Sequence, residues 1–332
     1  MDGTGVPAGL ELPAEQQAWL AGLAALGPPE GGVPLPDGAE AARRLSLLDT
    51  DPADAEAILR HRPEPGTPLW WLLERAYHEL VGHIDTVART PPWRRLPDAL
   101  GPTGAQLYSW LLLAALPAAR ENHARRGVPD DASWVALRDF GRQARLGRIL
   151  YGHPGLAAPG WLALHFRGTI FELGRLQFQR FRLTVDEVRR GIPDATEELP
   201  VLDVHIPASG PLTPARCDAS FADAVRFFPR HFPQEPYQFA VCTSWLLDDQ
   251  LAAYLPADSN ILAFQRRFEL LPWDGSHDDR SVVEFVFRRP RELSLGEEEI
   301  ALLPQETSLQ RGIVRHLRDG GHWRWRSGWL VL

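Results

Sequence analysis

Two ionisable side chains interrupt a run of residues that is otherwise apolar, and they are the first candidates for chemistry. Residues 201–206 are apolar except for Asp203 and His205. A strand that is covered on both faces normally carries neither of these residue types. An imidazole has an unperturbed pKa of about 6.5 and therefore takes up and releases a proton near neutral pH. The pattern favours proton transfer at the end of this strand.

Cysteine and histidine spacing elsewhere in the chain predicts neither a disulfide framework nor a metal site. Cys217 and Cys242 are the two cysteines, which suits free thiols in a reducing compartment. His78 and His83 flank Glu79 on a predicted helix, but the metalloprotease pattern needs histidines four residues apart. A separation of five turns the second histidine by about 140° around the helix, so we reject zinc.

The composition is that of an ordinary globular protein with two domains. The chain has 332 residues, of which 44% are hydrophobic and 23% are charged, and domains usually span about 100 to 200 residues. All 35 basic residues are arginine, yet the net charge of −8 argues against a general nucleic-acid binder. The N-terminus lacks signal-peptide features, and no apolar run reaches the roughly 20 residues of a membrane span. We therefore predict a cytoplasmic protein that binds neither nucleic acid nor membranes.

Residues 1–155 are predicted to form an all-helical N-terminal domain. Apolar residues recur there at helical spacing, between breaks rich in proline and glycine. The candidate helices are Ala14 to Leu26, Gly38 to Leu47, Pro52 to Arg60, Trp70 to Val87, Thr103 to Arg120 and Asp131 to Ile149.

Residues 156–332 are predicted to form a second domain built on a sheet, because the apolar period shortens toward two from Gly160. A helix should begin at Thr213-Pro214, with the hydroxyl as cap and the proline in the first turn. A helix over 308–318 and a Trp-rich strand should end the chain. The predicted strands cover residues 162–167, 170–183 with a bulge at Gly174, 202–206, 239–247, 268–273 and 282–287.

Three segments carry a family resemblance, namely LDVHIPASGPLTP, CTSWLLDDQLAAYLPADSNILAFQRRF and LLPQETSLQRGIVRHLRDGGHW. They resemble an actinobacterial group of two-part acyltransferase-like proteins, whose C-terminal domain is related to the GNAT (general-control-related N-acetyltransferase) fold. The resemblance implies an α+β protein, with an all-helical N-terminal domain followed by a GNAT-like mixed β-sheet domain with flanking helices. It also implies an N-acyltransferase whose thioester donor lies where two core strands splay apart.

The resemblance assigns catalytic roles to three residues. His205 would end one splayed strand beside the thioester carbonyl, where it can take the proton of an incoming amine. Glu172, on an early strand, is the alternative general base, because burial would raise its pKa. Ser244, on the facing strand, would donate to the leaving thiolate or orient the donor. The structural alternatives are a His205 satisfied by a backbone carbonyl and a Glu172 paired with Arg167 or Arg175.

The expected donor site departs from the family pattern. Residues 208–213 stand where GNAT enzymes carry an Arg/Gln-x-x-Gly-x-Gly/Ala loop for the coenzyme A pyrophosphate, but they include one glycine and a proline that removes a donor. The N-terminus of the following helix still offers amides to an anion. We expect no permanently bound cofactor and, as co-substrate, an acyl-CoA or the phosphopantetheine thioester of an acyl carrier protein. Donor binding is assigned to Ser209, Gly210, Thr213, Cys242 and Trp245.

Functions from different classes remain open. An acyltransferase would accept a small-molecule or peptide amine, with the helical half shaping its pocket and with contacts from 258–260 (Asp258, Ser259, Asn260), one of which caps a helix. A non-catalytic binding protein would also explain the missing pyrophosphate loop. Hydrolysis through Cys242 and His205 is a third possibility, although a cysteine in such a run is most often a small buried hydrophobe. A groove that reaches both His205 and Ser244 would favour the enzyme.

Overall fold

The computed structural model describes residues 5–91, 93–192, 194–290 and 295–332. The chain divides into two compact units between Phe171 and Glu172. This division lies one helix beyond residue 155, where the sequence analysis placed the domain boundary. Of the helices in the described ranges, none combines the length and the apolarity that crossing a bilayer requires.

The first unit is helical. Its first three helices have the predicted ends, whereas the helix predicted over residues 131–149 is two helices that meet at Arg138. The helices are α1 (Ala14–Leu26), α2 (Gly38–Leu47), α3 (Pro52–Arg60), α4 (Pro68–Gly82), α5 (Gly101–Arg125), α6 (Asp130–Leu137), α7 (Asp139–Tyr151) and α8 (Pro159–Phe166).

Helix α5 lies at the centre of the first unit. Its residues 107–116 are all buried, which is the pattern of a helix surrounded by others. Trp110, on this helix, donates a hydrogen bond of 2.9 Å from its indole to the carbonyl oxygen of Ile58 on α3. The polar atom of this buried indole is therefore satisfied inside the apolar cluster.

The strand predicted over residues 162–167 is wrong, because the segment forms α8. Pro159 occupies its first turn, and Leu162, Ala163 and Phe166 are buried at helical spacing. A short apolar run does not distinguish a buried strand from a buried helix, and here the helical core decided the outcome.

The second unit is built on a mixed sheet, whose six strands run in the order β1-β2-β3-β4-β6-β5 among the described residues. The first two residues of β1 belong to the first unit. The strands are β1 (Ile170–Leu173), β2 (Leu176–Leu183), β3 (Leu199–His205), β4 (Phe239–Ser244), β5 (Glu269–Leu270) and β6 (Arg326–Val331). The helices are α9 (Val185–Arg189), α10 (Pro214–His231), α11 (Asn260–Gln265), α12 (Asp279–Phe287), α13 (Glu297–Ala301) and α14 (Ser308–Arg318).

Two strand predictions of this unit are corrected. The continuous strand predicted over 170–183 is a hairpin, because Gly174 adopts φ +71° and turns the chain instead of forming a bulge. The strand predicted over 282–287 is α12, whose N-cap Asp278 accepts a hydrogen bond of 3.0 Å from the amide of Ser281. The predicted pairing of 268–273 with 282–287 is therefore wrong: the first segment contains the short strand β5, which pairs with β6.

The strands β3 and β4 separate at their C-terminal ends. Their parallel pairing joins Leu202 to Ala240 and Asp203 to Val241 and extends no further, although β3 continues to His205. We call the space beyond Asp203 and Val241 the wedge. It is the strand separation that the resemblance implied.

The two faces of the central sheet carry different side chains, because side chains alternate along each strand. One face is covered by α10, and we call the other the wedge face. Phe178 and its register partner Val204 lie on the face covered by α10, where the ring of Phe178 contacts those of Phe221 and Phe228 at 5.5 and 6.4 Å between centroids. Asp203, one residue before Val204, lies on the opposite face. The polar groups of the wedge therefore project away from α10.

Candidate active site

His205 and Asp203 form the polar centre of the wedge face. Strand β2 places Gln177 opposite His205 and Gln179 opposite Asp203. Nε2 of His205 lies 3.0 Å from Oε1 of Gln179 and 3.6 Å from Oδ2 of Asp203. The acceptor Oε1 of Gln179 at Nε2, with the carboxylate of Asp203 nearby, favours the tautomer that carries its proton there, so the basic lone pair belongs to Nδ1.

Burial shifts both ionisable groups of this pair toward their neutral forms. It lowers the pKa of His205, an effect that the charge of Asp203 opposes, and it raises the pKa of Asp203, an effect that His205 opposes. A lowered pKa keeps the imidazole neutral at pH 7, which is the state that accepts a proton. In the described part of the chain, Oδ1 of Asp203 is buried without a hydrogen-bond partner.

The alternation along β4 separates its candidate residues into two groups. Val241 shares the face of Asp203, so Thr243 lies on the wedge face, where its hydroxyl is 2.9 Å from that of Ser327 on β6. Cys242 and Ser244 alternate onto the opposite face. The register therefore directs His205 and Ser244 to opposite sides of the sheet, unlike the juxtaposition that we expected.

The three candidates at the end of β4 have structural surroundings. Cys242 is fully buried, and burial, followed by the charge of Asp203, raises the pKa of its thiol well above the usual range. The hydroxyl of Ser244 accepts a hydrogen bond of 3.1 Å from the amide of Leu246. Trp245 belongs to an apolar cluster with Leu251 and others. A protonated, buried thiol is a poor nucleophile.

Glu172 lies in the same row of side chains as His205. Its Oε2 accepts a hydrogen bond of 3.0 Å from the side-chain amide of Gln177, which is the register partner of His205. The alternative partners considered for Glu172 bond elsewhere: Arg167 donates to the carbonyls of residues 83, 86 and 88, and Arg175 to those of residues 207, 210 and 211.

The remaining predicted residues lie in two turns. Ser209 and Gly210 lie in the turn after β3, and Thr213 is the N-cap of α10, although its hydroxyl does not form the predicted capping hydrogen bond. Ser259 caps α11 through a hydrogen bond of 3.2 Å from the amide of Ile261. Its neighbours in sequence, Asp258 and Asn260, are exposed.

An apolar cleft of about 40 Å³ opens on the same face of the sheet as the polar centre. Val201 and Val241 line this cleft. Val201 precedes Asp203 by two residues on β3, and Val241 is the register partner of Asp203 on β4. The other lining residues are Leu183, Glu187, Val188, Gly191, Ile192, Leu199, Phe239, Leu271 and Trp329.

Sequence reasoning missed Gln177, Gln179, Thr243 and Ser327. The only signal was the alternation LQFQ, in which Gln177 and Gln179 flank Phe178. That pattern places the two amides on one face, but it does not show that β3 pairs with them. Their relation to His205 depends on the strand register.

The chain matches two family profiles in succession. The profile of the N-acyltransferase N-terminal domain matches residues 39–168, and that of the GNAT-like C-terminal domain matches residues 170–330. The chain belongs to the GNAT-like N-acyltransferases. The predicted fold class and the predicted enzyme class are thereby confirmed.

Solved structures of acyltransferases are similar to this N-acyltransferase over its whole length. A crystal structure in complex with decanoyl-CoA is 38% identical with a TM-score of 0.87, and one of a mutant in complex with octanoyl-CoA is 36% identical with a TM-score of 0.88. A third, in complex with decanoyl-CoA and teicoplanin, is 37% identical with a TM-score of 0.86. Each match covers 100% of both chains. No curated protein sequence matches the chain.

Proposed function

We propose that this N-acyltransferase moves the acyl group of an acyl-CoA to a primary amine of a glycopeptide-like small molecule, with His205 as the general base. The observation that carries the proposal is the imidazole of His205 at the wedge, whose Nε2 lies 3.0 Å from Oε1 of Gln179 and 3.6 Å from Oδ2 of Asp203. Similar acyltransferases have been solved with decanoyl-CoA and with teicoplanin, which supports the donor and the acceptor class. A carrier-protein donor has no such support.

The reaction follows from this placement of the base. The amine nitrogen attacks the thioester carbonyl carbon while Nδ1 of His205 takes a proton from that nitrogen. The tetrahedral intermediate then collapses, so the C–S bond breaks as the amide forms, and the imidazolium returns the proton to the departing thiolate of coenzyme A. The carboxylate of Asp203, 3.6 Å from Nε2, stabilises the transient imidazolium.

The apolar cleft, at about 40 Å³, has room for part of an alkyl chain of the donor. It begins at Val201 and Val241, beside the point where the strands part, and its lining is predominantly apolar. Burial of each methylene group contributes about 0.8 kcal/mol to binding. We therefore expect kcat/KM to rise from acetyl-CoA to octanoyl-CoA, and an unchanged or falling kcat/KM would contradict an alkyl-binding cleft.

Two variants test the choice of base. His205→Gln should lower kcat for octanoyl transfer by about 10²- to 10⁴-fold, the usual contribution of a positioned general base. Glu172→Gln, the matched control in the same row of side chains, should retain most of the activity. Loss in Glu172→Gln with activity retained in His205→Gln would assign the base to Glu172 instead.

Calorimetric titration separates the enzyme from a non-catalytic binding protein. The wild-type protein is titrated with octanoyl-CoA and then incubated with a glycopeptide that bears a primary amine. Binding followed by formation of the amide and free coenzyme A is the expected result. Saturable binding without turnover would favour the binding protein, and absence of binding would exclude the acyl-CoA donor.

A further inference from the structure

Arg175, at the tip of the β1–β2 hairpin, is a buried guanidinium whose charge is directed at backbone carbonyls. Its relative exposure is 8%. Nη1 donates to the carbonyl of Pro207 at 2.9 Å, Nη2 to that of Gly210 at 3.1 Å, and Nε to that of Pro211 at 3.2 Å. One side chain therefore binds three carbonyls of the turn between β3 and α10.

The backbone around Arg175 is itself attached to α10. The hydroxyl of Ser220, a buried residue of that helix, accepts hydrogen bonds from the amides of Arg175 at 2.7 Å and Leu176 at 3.3 Å. The same hydroxyl donates to the carbonyl of Arg216 at 3.0 Å. The backbone that carries the Arg175 side chain is thus attached to α10, the helix that follows the turn.

This attachment determines where the amides of the turn point. In a trans peptide the N–H is directed opposite to the preceding C=O, and the described residues contain no cis peptide. The carbonyls of residues 207 and 211 point at Arg175, so the amides of Ala208 and Leu212 point away from it. Within the described residues, neither amide donates to a backbone carbonyl. The peptide after Gly210 contributes none, because the next residue is Pro211.

Two arginines lie near this turn. Arg216 is exposed in the first turn of α10, and Arg267, which forms an ion pair with Asp218, donates from Nη2 to the carbonyl of Pro214 at 3.1 Å. The N-terminus of α10 adds the positive end of an 18-residue helix, and the hydroxyl of Thr213 does not cap it. Amides, guanidinium groups and a helix N-terminus together match a phosphate.

We propose that Arg175 is a positioning residue that holds the 207–212 turn in the conformation that receives the pyrophosphate of coenzyme A. The three hydrogen bonds of its guanidinium do here what a run of glycines does in a glycine-rich loop, which is to present amides to the anion. This role rests on the proposed acyl-CoA donor. A turn that is already ordered before binding loses less conformational entropy when the anion arrives.

The test compares a complete donor with one that lacks the nucleotide. Octanoyl-CoA and octanoyl-pantetheine carry the same thioester, but only the first has a pyrophosphate. Wild type should prefer octanoyl-CoA in kcat/KM. Arg175→Met should raise KM for octanoyl-CoA about 10-fold or more, as expected for the loss of hydrogen bonds to a charged group, and leave octanoyl-pantetheine unchanged. Arg175→Lys keeps the charge but not the planar guanidinium, so its KM for octanoyl-CoA should lie between those of wild type and Arg175→Met.

A matched substitution on α10 controls for the loss of an arginine. Arg226→Met removes an exposed guanidinium that pairs with Asp223, and both donors should retain their wild-type values. Calorimetry with coenzyme A and with pantetheine should show the same contrast in Kd without any chemistry.

The outcomes distinguish this proposal from the proposed function. Equal losses on both donors in Arg175→Met would show a general structural role and overturn the positioning role. Equal use of both donors by wild type would mean that the turn does not contact the pyrophosphate, although acyl transfer would stand. A wild type that transfers from neither donor would refute both.

Discussion

Removal of the charge on Asp203 should change the pH dependence of acyl transfer by weakening the base. Asp203→Asn keeps the size of the side chain and eliminates the carboxylate that lies 3.6 Å from Nε2 of His205. That carboxylate favours the imidazolium, so its loss lowers the pKa of His205 below its already lowered value. The acid limb of kcat/KM, which reports protonation of the base in the free enzyme, must then move to lower pH.

The size of this shift follows from the geometry of the pair. At a separation of 3.6 Å, unit charges interact by about 1 kcal/mol in water and about 5 kcal/mol at an effective dielectric constant of 20. The two side chains retain 27% and 20% exposure, which favours the lower part of this range. One pKa unit corresponds to about 1.4 kcal/mol. We therefore expect the acid limb to move down by about one pH unit or somewhat more.

The assay is kcat/KM for octanoyl-CoA between about pH 5 and pH 9, with one amine acceptor for all variants, so that the titration of the acceptor cancels. Asp223→Asn, at a partly exposed aspartate on α10, is the matched control and should reproduce the wild-type profile. An acid limb that stays in place or moves to higher pH in Asp203→Asn would refute the electrostatic coupling of the two residues.

Three further predictions concern buried groups. Cys242→Ala should retain kcat, because a buried thiol with a strongly raised pKa is not the nucleophile, and an inactive but folded variant would reinstate covalent catalysis. Glu235→Gln should lower the unfolding free energy by about 3 to 5 kcal/mol in urea, since the fully buried Arg180 loses its counter-charge, and an unchanged midpoint would contradict this. Burial lowers the pKa of His123 to about 4 in the folded state. The free energy of unfolding therefore carries no penalty from this histidine above about pH 6.5, and it falls by about 1.4 kcal/mol per pH unit between about pH 6.5 and pH 4. His123→Gln should reduce this fall, and a pH profile of the urea midpoint identical to that of the wild type would refute the prediction.

The helices of the first unit illustrate what local sequence determines. The ends of α1, α2 and α3 were predicted correctly, because prolines, glycines and caps act on the residues next to them. α8 and α12 were predicted as strands. Their apolar runs are short enough to suit either period, so the surrounding core selected the helix.

The site shows the same division between local and non-local information. Asp203 and His205 were identified from the sequence, because two ionisable residues within an apolar run can be recognised from their immediate neighbours alone. The partnership of His205 with Gln179 was not, since the two are 26 positions apart and meet only through the register of β2 and β3. The hydrogen bonds from Arg175 to the 207–212 turn were missed for the same reason.

The sequence by itself determined the two-part organisation, the helical first half, the resemblance to GNAT-like acyltransferases and the histidine at the end of a core strand. Composition, periodicity and motif identity are properties of neighbouring residues, and they need no knowledge of what packs against them. The tertiary structure alone decided which side chains share a face of the sheet, and it separated His205 from Ser244. Strand register decides this, because a shift of one residue moves every side chain to the other face.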